Sequence, residues 1–200
     1  MSLHLYQEKN VLTKEECETI IQKALPFLQK SQVTGEYDFD HFNQKKFRMS
    51  EEAHFHIIDD DVVTRKLRNK IKDISGLPIS HQESICVINY TKDGYFLPHY
   101  DYFGHDTTDD NRSNQRLFTY LIYLNEDFEG GITEFPKENI KIKPETGLLI
   151  TWNNVIDGTN ELNPKSLHCS TEITSGEKWV VSVWVREHQA DFTKNLLINN

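Results

Sequence analysis

The chain has 200 residues, 37% of them hydrophobic and 26% charged, and a net charge of −9. That length supports one domain with a substantial core and is short for two. The acidic balance argues against gripping duplex nucleic acid by its phosphates, and no apolar run approaches the ~20 residues of a membrane span.

A basic peptide or a small anion held in a local positive pocket remains open to such a chain. Cys17, Cys86 and Cys169 are odd in number and widely spaced, with no CxxC pair. Free thiols in a reducing compartment are the simpler reading. The amino-terminal residues show no charged-then-apolar leader pattern, so a cytoplasmic protein is expected.

Residues 3–12 read as a short strand with a turn at Glu8-Lys9-Asn10. Thr13-Lys-Glu-Glu16 is a capping box. Apolar residues follow at helical spacing (Cys17, Ile20, Ile21, Ala24, Leu25, Leu28), predicting an amphipathic helix that ends near Gln32. Residues 31–46, with Gly35, Tyr37, Phe39, His41 and Phe42, read as a loop or an irregular hairpin. Asp59-Asp-Asp61 precedes a second helix over residues 62–74, and three carboxylates there suit its positive end, so a cap accounts for them without a metal. Gly76 and Pro78 end that helix.

From Glu83 the pattern becomes that of strands. They are expected over residues 84–90, 95–102, 117–125, 132–135, 140–143 and 147–152. Residues 167–173 and 179–185 form an expected last hairpin turning at Thr174-Ser-Gly-Glu177. Residues 103–115 and 153–165 are polar loops, the first suited to a lid or a substrate contact. Many short strands after leading helices suggest a mainly β (α+β) fold, a helix-buttressed sandwich or jelly roll. The expected organisation is helical support over 1–80, a core over 81–186 and a tail over 187–200. In that tail Leu196-Leu-Ile198 either docks as a terminal strand or frays.

His99 and Asp101 carry the first chemical signal. In an extended segment they share a face, with Cα atoms roughly 6–7 Å apart. Alone, such a pair is equally two polar residues on the wet face of a strand. With His168 as third donor it becomes the two-histidine, one-carboxylate facial triad of non-haem Fe(II) oxygenases. Lys178 opens the last apolar strand, and an inward ammonium there needs an anionic partner. In the expected hairpin it pairs near Ile173, roughly 15 Å along the strand from His168. A metal, a five-carbon dicarboxylate and an extended lysine would fill that gap. His54, His56, His81, His105 and His188 have no partner at metal spacing and read as solvated or structural, with His105 near enough to Asp101 to reach a substrate.

Several motifs, in order, resemble the prolyl 4-hydroxylase-type Fe(II)/2-oxoglutarate dioxygenases over about residues 45–186. They are Arg48-Met-Ser50, Gly76-Leu-Pro78, residues 83–90, Gly94-Tyr-Phe-Leu-Pro-His99-Tyr-Asp101 and Arg116-Leu-Phe-Thr119-Tyr-Leu-Ile-Tyr123-Leu. Then come Gly130-Gly-Ile-Thr-Glu-Phe-Pro136, Gly147-Leu-Leu-Ile150, and Ser166-Leu-His168 with nine residues to Lys178-Trp179. The resemblance implies a double-stranded β-helix (jelly roll) with Fe(II) on His99, Asp101 and His168. It implies 2-oxoglutarate with its far carboxylate on Lys178, and Tyr123 sharing that carboxylate. Tyr90 and Thr119 would line the cosubstrate pocket, Trp184 would form a wall, and Arg116 would stand near the substrate entrance. The bland readings stand beside these: core tyrosines, plain packing for Trp184, a surface ion pair for Arg116.

The implied reaction consumes 2-oxoglutarate and O2, releases succinate and CO2, and hydroxylates a C–H bond, with ascorbate keeping the iron reduced. A prolyl residue in a peptide or protein is the substrate the resemblance implies. Two alternatives are an oxygenase for a free amino acid or other small molecule, and a non-catalytic peptide-binding jelly roll. The basic anchor is Lys where nucleic-acid demethylases of the wider superfamily carry Arg, and their second Arg-rich signature is absent. This agrees with the acidic charge, and neither nucleic acid nor membrane is an expected partner.

Overall fold

A computed structural model describes residues 2–31, 39–40, 45–104 and 114–190. The capping box closes as read: the Glu16 N–H donates to Thr13 Oγ1 and the Thr13 N–H to the Glu16 carboxylate. Helix α1 then runs Lys14–Ala24, short of Gln32, because Pro26 follows and the chain turns through a 3-10 segment into a strand. Helix α2 runs Val62–Ser75 and stops at Gly76, whose φ of +70° is a left-handed cap. The three aspartates divide their work. Asp61 caps α2 through the Val63 and Thr64 N–H groups, Asp59 accepts from the His56 N–H, and Asp60 pairs with buried Arg68.

Among the described residues sixteen strands follow the chain order. They are β1 Tyr6–Glu8, β2 Gln29–Lys30, β3 Phe39–Asp40, β4 Lys45–Lys46, β5 Arg48–Met49, β6 Glu51–Phe55, β7 Ile85–Tyr90, β8 Tyr95–His99 and β9 Arg116–Tyr123. The rest are β10 Glu129–Gly130, β11 Thr133–Phe135, β12 Ile140–Ile142, β13 Leu149–Asn153, β14 His168–Ser170, β15 Ile173–Ser175 and β16 Lys178–Arg186. A seven-stranded sheet has the order β1-β13-β9-β16-β7-β6-β2 and a five-stranded sheet β12-β11-β14-β8-β5, both antiparallel; β3-β4 and β10-β15 are separate pairs. The expected jelly roll is the fold.

The large sheet is buried on both faces. Val181, Val183 and Val185 of β16 pack with Ile20 and Ala24 of α1 and Leu67 and Ile71 of α2. The alternate residues turn inward, where Val180 joins Ile88, Tyr123, Phe135 and Trp152 between the sheets. Double burial explains why this strand reads as an apolar run rather than as an alternation. At the edge, Gly147 has φ +77° and a Cβ there would lie 2.2 Å from the Leu12 carbonyl oxygen. Its bonds to Tyr123 and Val11 pin the amino-terminal segment to the sheet.

Two expectations fail. The hairpin over residues 167–185 does not form. β14 pairs with β8 and β11 in the small sheet, β16 with β7 and β9 in the large one, and β15 with β10 between them. The chain therefore crosses between sheets before Lys178. Strand β6, unassigned in the sequence, is the other: its Glu51-Glu-Ala-His-Phe55 buries only Ala53 and Phe55. Readings placed on Gly35, Tyr37, His41, Phe42, His105, residues 105–113 and Leu196-Leu-Ile198 lie outside the described residues.

Candidate active site

β8 and β14 lie side by side, and His99 sits directly across from His168. β8 ends at His99, so Asp101 reaches the site from a bend rather than from the expected strand. Asp101 Oδ1 is 3.7 Å from His99 Nε2 and Oδ2 is 3.5 Å from His168 Nε2. One donor atom from each residue falls within 4.8 Å of the others.

The chain itself orients both rings. His99 Nδ1 is 2.7 Å from the Leu97 carbonyl and His168 Nδ1 is 2.8 Å from the Ser166 carbonyl. A carbonyl only accepts, so each Nδ1 carries a proton, and Nε2 is the ring atom each histidine turns toward the site. Thr119 Oγ1 donates to Asp101 Oδ2 at 2.7 Å and accepts from Asn154 Nδ2 at 2.9 Å. Burial first, then neighbouring His168, pull His99 down to about 3, which keeps the ring neutral. Burial works against an ionised Asp101, but His168, His99, Arg116 and Thr119 outweigh it and hold the group at about 2. Two imidazoles and one carboxylate, converging through their metal-facing atoms, fit a divalent iron with positions left open.

Lys178 lies across from Tyr90 and is 1% exposed. Its Nζ donates to the Gly131 carbonyl at 2.7 Å and to Ser170 Oγ at 2.9 Å. Ser170 is two residues beyond His168 on one short strand, so the crossing between sheets brings Lys178 opposite the histidine strand, far closer than a hairpin allows. Burial pushes the ammonium down to about 7, and among the described residues no carboxylate forms an ion pair with it. A buried cation so placed fits an anionic group entering the cavity.

Tyr90, Thr119 and Trp184 line that cavity together with the triad and Lys178. Trp184 Nε1 is buried without a hydrogen-bond partner. Tyr123 stands behind the wall: its hydroxyl donates to Thr133 Oγ1 at 2.7 Å, and Thr133 lines the cavity. Arg116 is not among the residues that line the cavity, and its ion pair is buried rather than on the surface. A register shift where Arg116 pairs with Arg186 turns it inward, so its guanidinium lies 3.9 Å from the Trp184 ring centroid. It also makes two 2.7 Å bonds to the Glu83 carboxylate, which Arg186 shares.

Arg48, Thr133 and Ser170 also face the cavity, with no pocket role read for them in the sequence. Ser170 was accessible from its two-residue spacing to His168; Arg48 and Thr133 stand within two of the resembling motifs. His56 approaches Ser84 and His81 the Arg186 carbonyl, as structural residues do. His54 departs from its reading, since it stands beside Glu52 and Cys86 at metal-ligand spacing.

A family model described as the 2OG-Fe(II) oxygenase superfamily matches residues 85–186. The chain belongs to that superfamily. This 2OG oxygenase is 32% identical over 200 residues to "Probable prolyl 4-hydroxylase 10" of Arabidopsis thaliana, covering 90% of this chain and 68% of that protein. It is 31% identical over 190 residues to prolyl 4-hydroxylase 1 of the same plant, covering 88% and 66%. Among solved structures it is similar to the viral collagen prolyl hydroxylase of Paramecium bursaria Chlorella virus-1 in its 2OG complex, with TM-score 0.73, 26% identity, and 92% and 96% of the two chains covered. The 2OG oxygenase family uses Fe(II) as its metal and 2-oxoglutarate and O2 as cosubstrates, and the donor set and buried lysine suit the first two.

Proposed function

We propose that this 2OG oxygenase hydroxylates prolyl residues within a peptide or protein. The observation that carries the reading is one cavity bounded by a two-histidine, one-carboxylate cluster and by a buried ammonium that has no carboxylate partner among the described residues. The prolyl hydroxylase names of the relatives supply the substrate.

In this reading His99, Asp101 and His168 hold Fe(II), and Lys178 receives the far carboxylate of 2-oxoglutarate. The bound iron supplies the oxidative chemistry. The chain supplies placement: Leu97 and Ser166 keep both Nδ1 protons in place, Thr119 fixes the Asp101 carboxylate, and Ser170 and Gly131 aim the ammonium. Tyr90 and Trp184 wall the cavity against water, and Arg116, over the Trp184 ring, supports that wall from behind. Tyr123 acts through Thr133. Ascorbate serves to keep the iron reduced. The working compartment is cytoplasmic, a reading supported by three unpaired cysteines.

The test is anaerobic purification followed by Fe(II), 2-oxoglutarate, ascorbate, air and proline-containing peptides, with His99→Ala alongside. The expected result is succinate together with one added oxygen on a proline, both lost in the variant. Succinate that depends on a free amino acid and never on a peptide would overturn the substrate assignment.

A further inference from the structure

Glu52 and His54 sit two residues apart on β6, so they share a face of the large sheet. His54 lies directly across from Cys86 and Glu52 across from Ile88. Ile88 and Tyr90 of that same β7 face line the cavity, so Glu52, His54 and Cys86 stand at its rim. None of the three has a part in the reaction above.

Their donor atoms cluster, one from each residue lying within 4.8 Å of the others. His54 Nε2 is 3.2 Å from Glu52 Oε1 and 3.8 Å from Cys86 Sγ, and Cys86 Sγ is 3.9 Å from Glu52 Oε2. A tetrahedral zinc with bonds of ~2.3 Å to sulfur, ~2.05 Å to nitrogen and ~2.0 Å to oxygen holds its ligand atoms ~3.3 Å (N···O), ~3.6 Å (S···N) and ~3.5 Å (S···O) apart. The N···O and S···N separations lie within about 0.2 Å of those figures, and the 3.9 Å sulfur contact is to Oε2 rather than Oε1, so the carboxylate turns on binding to bring one oxygen to both partners. Cys86 is buried while His54 is exposed, so an ion would enter from solvent past the imidazole and keep water as fourth ligand. The sulfur donor separates this set from the nitrogen–oxygen triad and selects a softer ion.

We propose that Glu52, His54 and Cys86 form a second metal site, for a thiophilic divalent cation such as Zn2+, at the rim of the cavity. Binding exchanges the Cys86 S–H bond for a sulfur–metal bond, the proton passes to solvent, and no oxidation state changes. Arg48 couples the site to the cavity. Its Nη2 is 2.9 Å from Glu52 Oε2, its guanidinium lies 4.8 Å from the Phe96 ring centroid, and it lines the cavity. A cation on Glu52 takes over the charge that Arg48 now neutralises, so occupancy frees Arg48 at the cavity wall. The same guanidinium competes with the cation, so the site binds less tightly than a closed three- or four-ligand zinc site without such a neighbour.

Co2+ is the probe, added to the full chain and to Cys86→Ser and His54→Ala. A thiolate on Co2+ gives a near-ultraviolet charge-transfer band that imidazole and carboxylate donors cannot. The wild type is expected to bind two equivalents with the band and to release the Cys86 proton, and each variant to bind one without the band. His54 is exposed, so His54→Ala keeps the fold and carries the test if Cys86→Ser does not. One equivalent in the wild type, no thiolate band at saturation, or a band unchanged in either folded variant would each overturn the proposal.

Discussion

Replacing Lys178 by Met should raise the stability of the ligand-free protein while abolishing its hold on 2-oxoglutarate. The ammonium is held near 7 by burial, against an ordinary value of 10.5. At ~1.4 kcal/mol per tenfold, burying the group costs about 5 kcal/mol at pH 6, where it is still charged in the fold, and about 2 kcal/mol at pH 9, where it is neutral in the fold and charged only in the unfolded chain. The sign follows from proton counts. Between about pH 7 and 10.5 the unfolded chain binds the proton that the folded chain has lost, so stability rises with pH across that window. The wild type should therefore gain up to about 3 kcal/mol from pH 6 to pH 9 relative to Lys178→Met. Urea unfolding at several pH values reads the difference, and calorimetry reads 2-oxoglutarate binding, which should weaken as pH climbs above 7. Parallel pH–stability curves for the two proteins would refute the reasoning.

Thr119→Val removes the bond to the Asp101 carboxylate and should weaken Fe(II) binding by about tenfold to a hundredfold, while Thr119→Ser retains it; competition with a chromogenic chelator measures both. Glu83→Gln leaves Arg116 and Arg186 without their shared carboxylate and should cost about 3 kcal/mol or more in urea unfolding. Gly147→Ala forces a Cβ against the Leu12 carbonyl at a positive φ and should destabilise by about 1–3 kcal/mol, with the melting temperature as readout.

The triad and Lys178 are legible because several spaced motifs share one order, and because a lysine opening an apolar strand asks for an anion. Their mutual placement is not. Alternation tells which side a residue faces, not which strand lies beside it, so residues 167–185 look like a hairpin although β14 and β16 belong to opposite sheets. β6 hides because its pocket-side residues are Glu52 and His54, a polar pattern that imitates a loop. Arg116 depends on a one-residue register shift that no composition signals, and Asp101 on a strand ending three residues early. The helices are legible because their caps are local chemistry, a few residues long.

His99 and His168 face each other across one ladder, each held by the carbonyl two residues before it. Sliding β14 by one residue against β8 would turn one imidazole to the opposite side and leave the other without its partner. Metal capture is thus a proofreading step on strand alignment: only a chain that has zipped its small sheet in register gains the binding free energy, and a misaligned sheet is left without that reward.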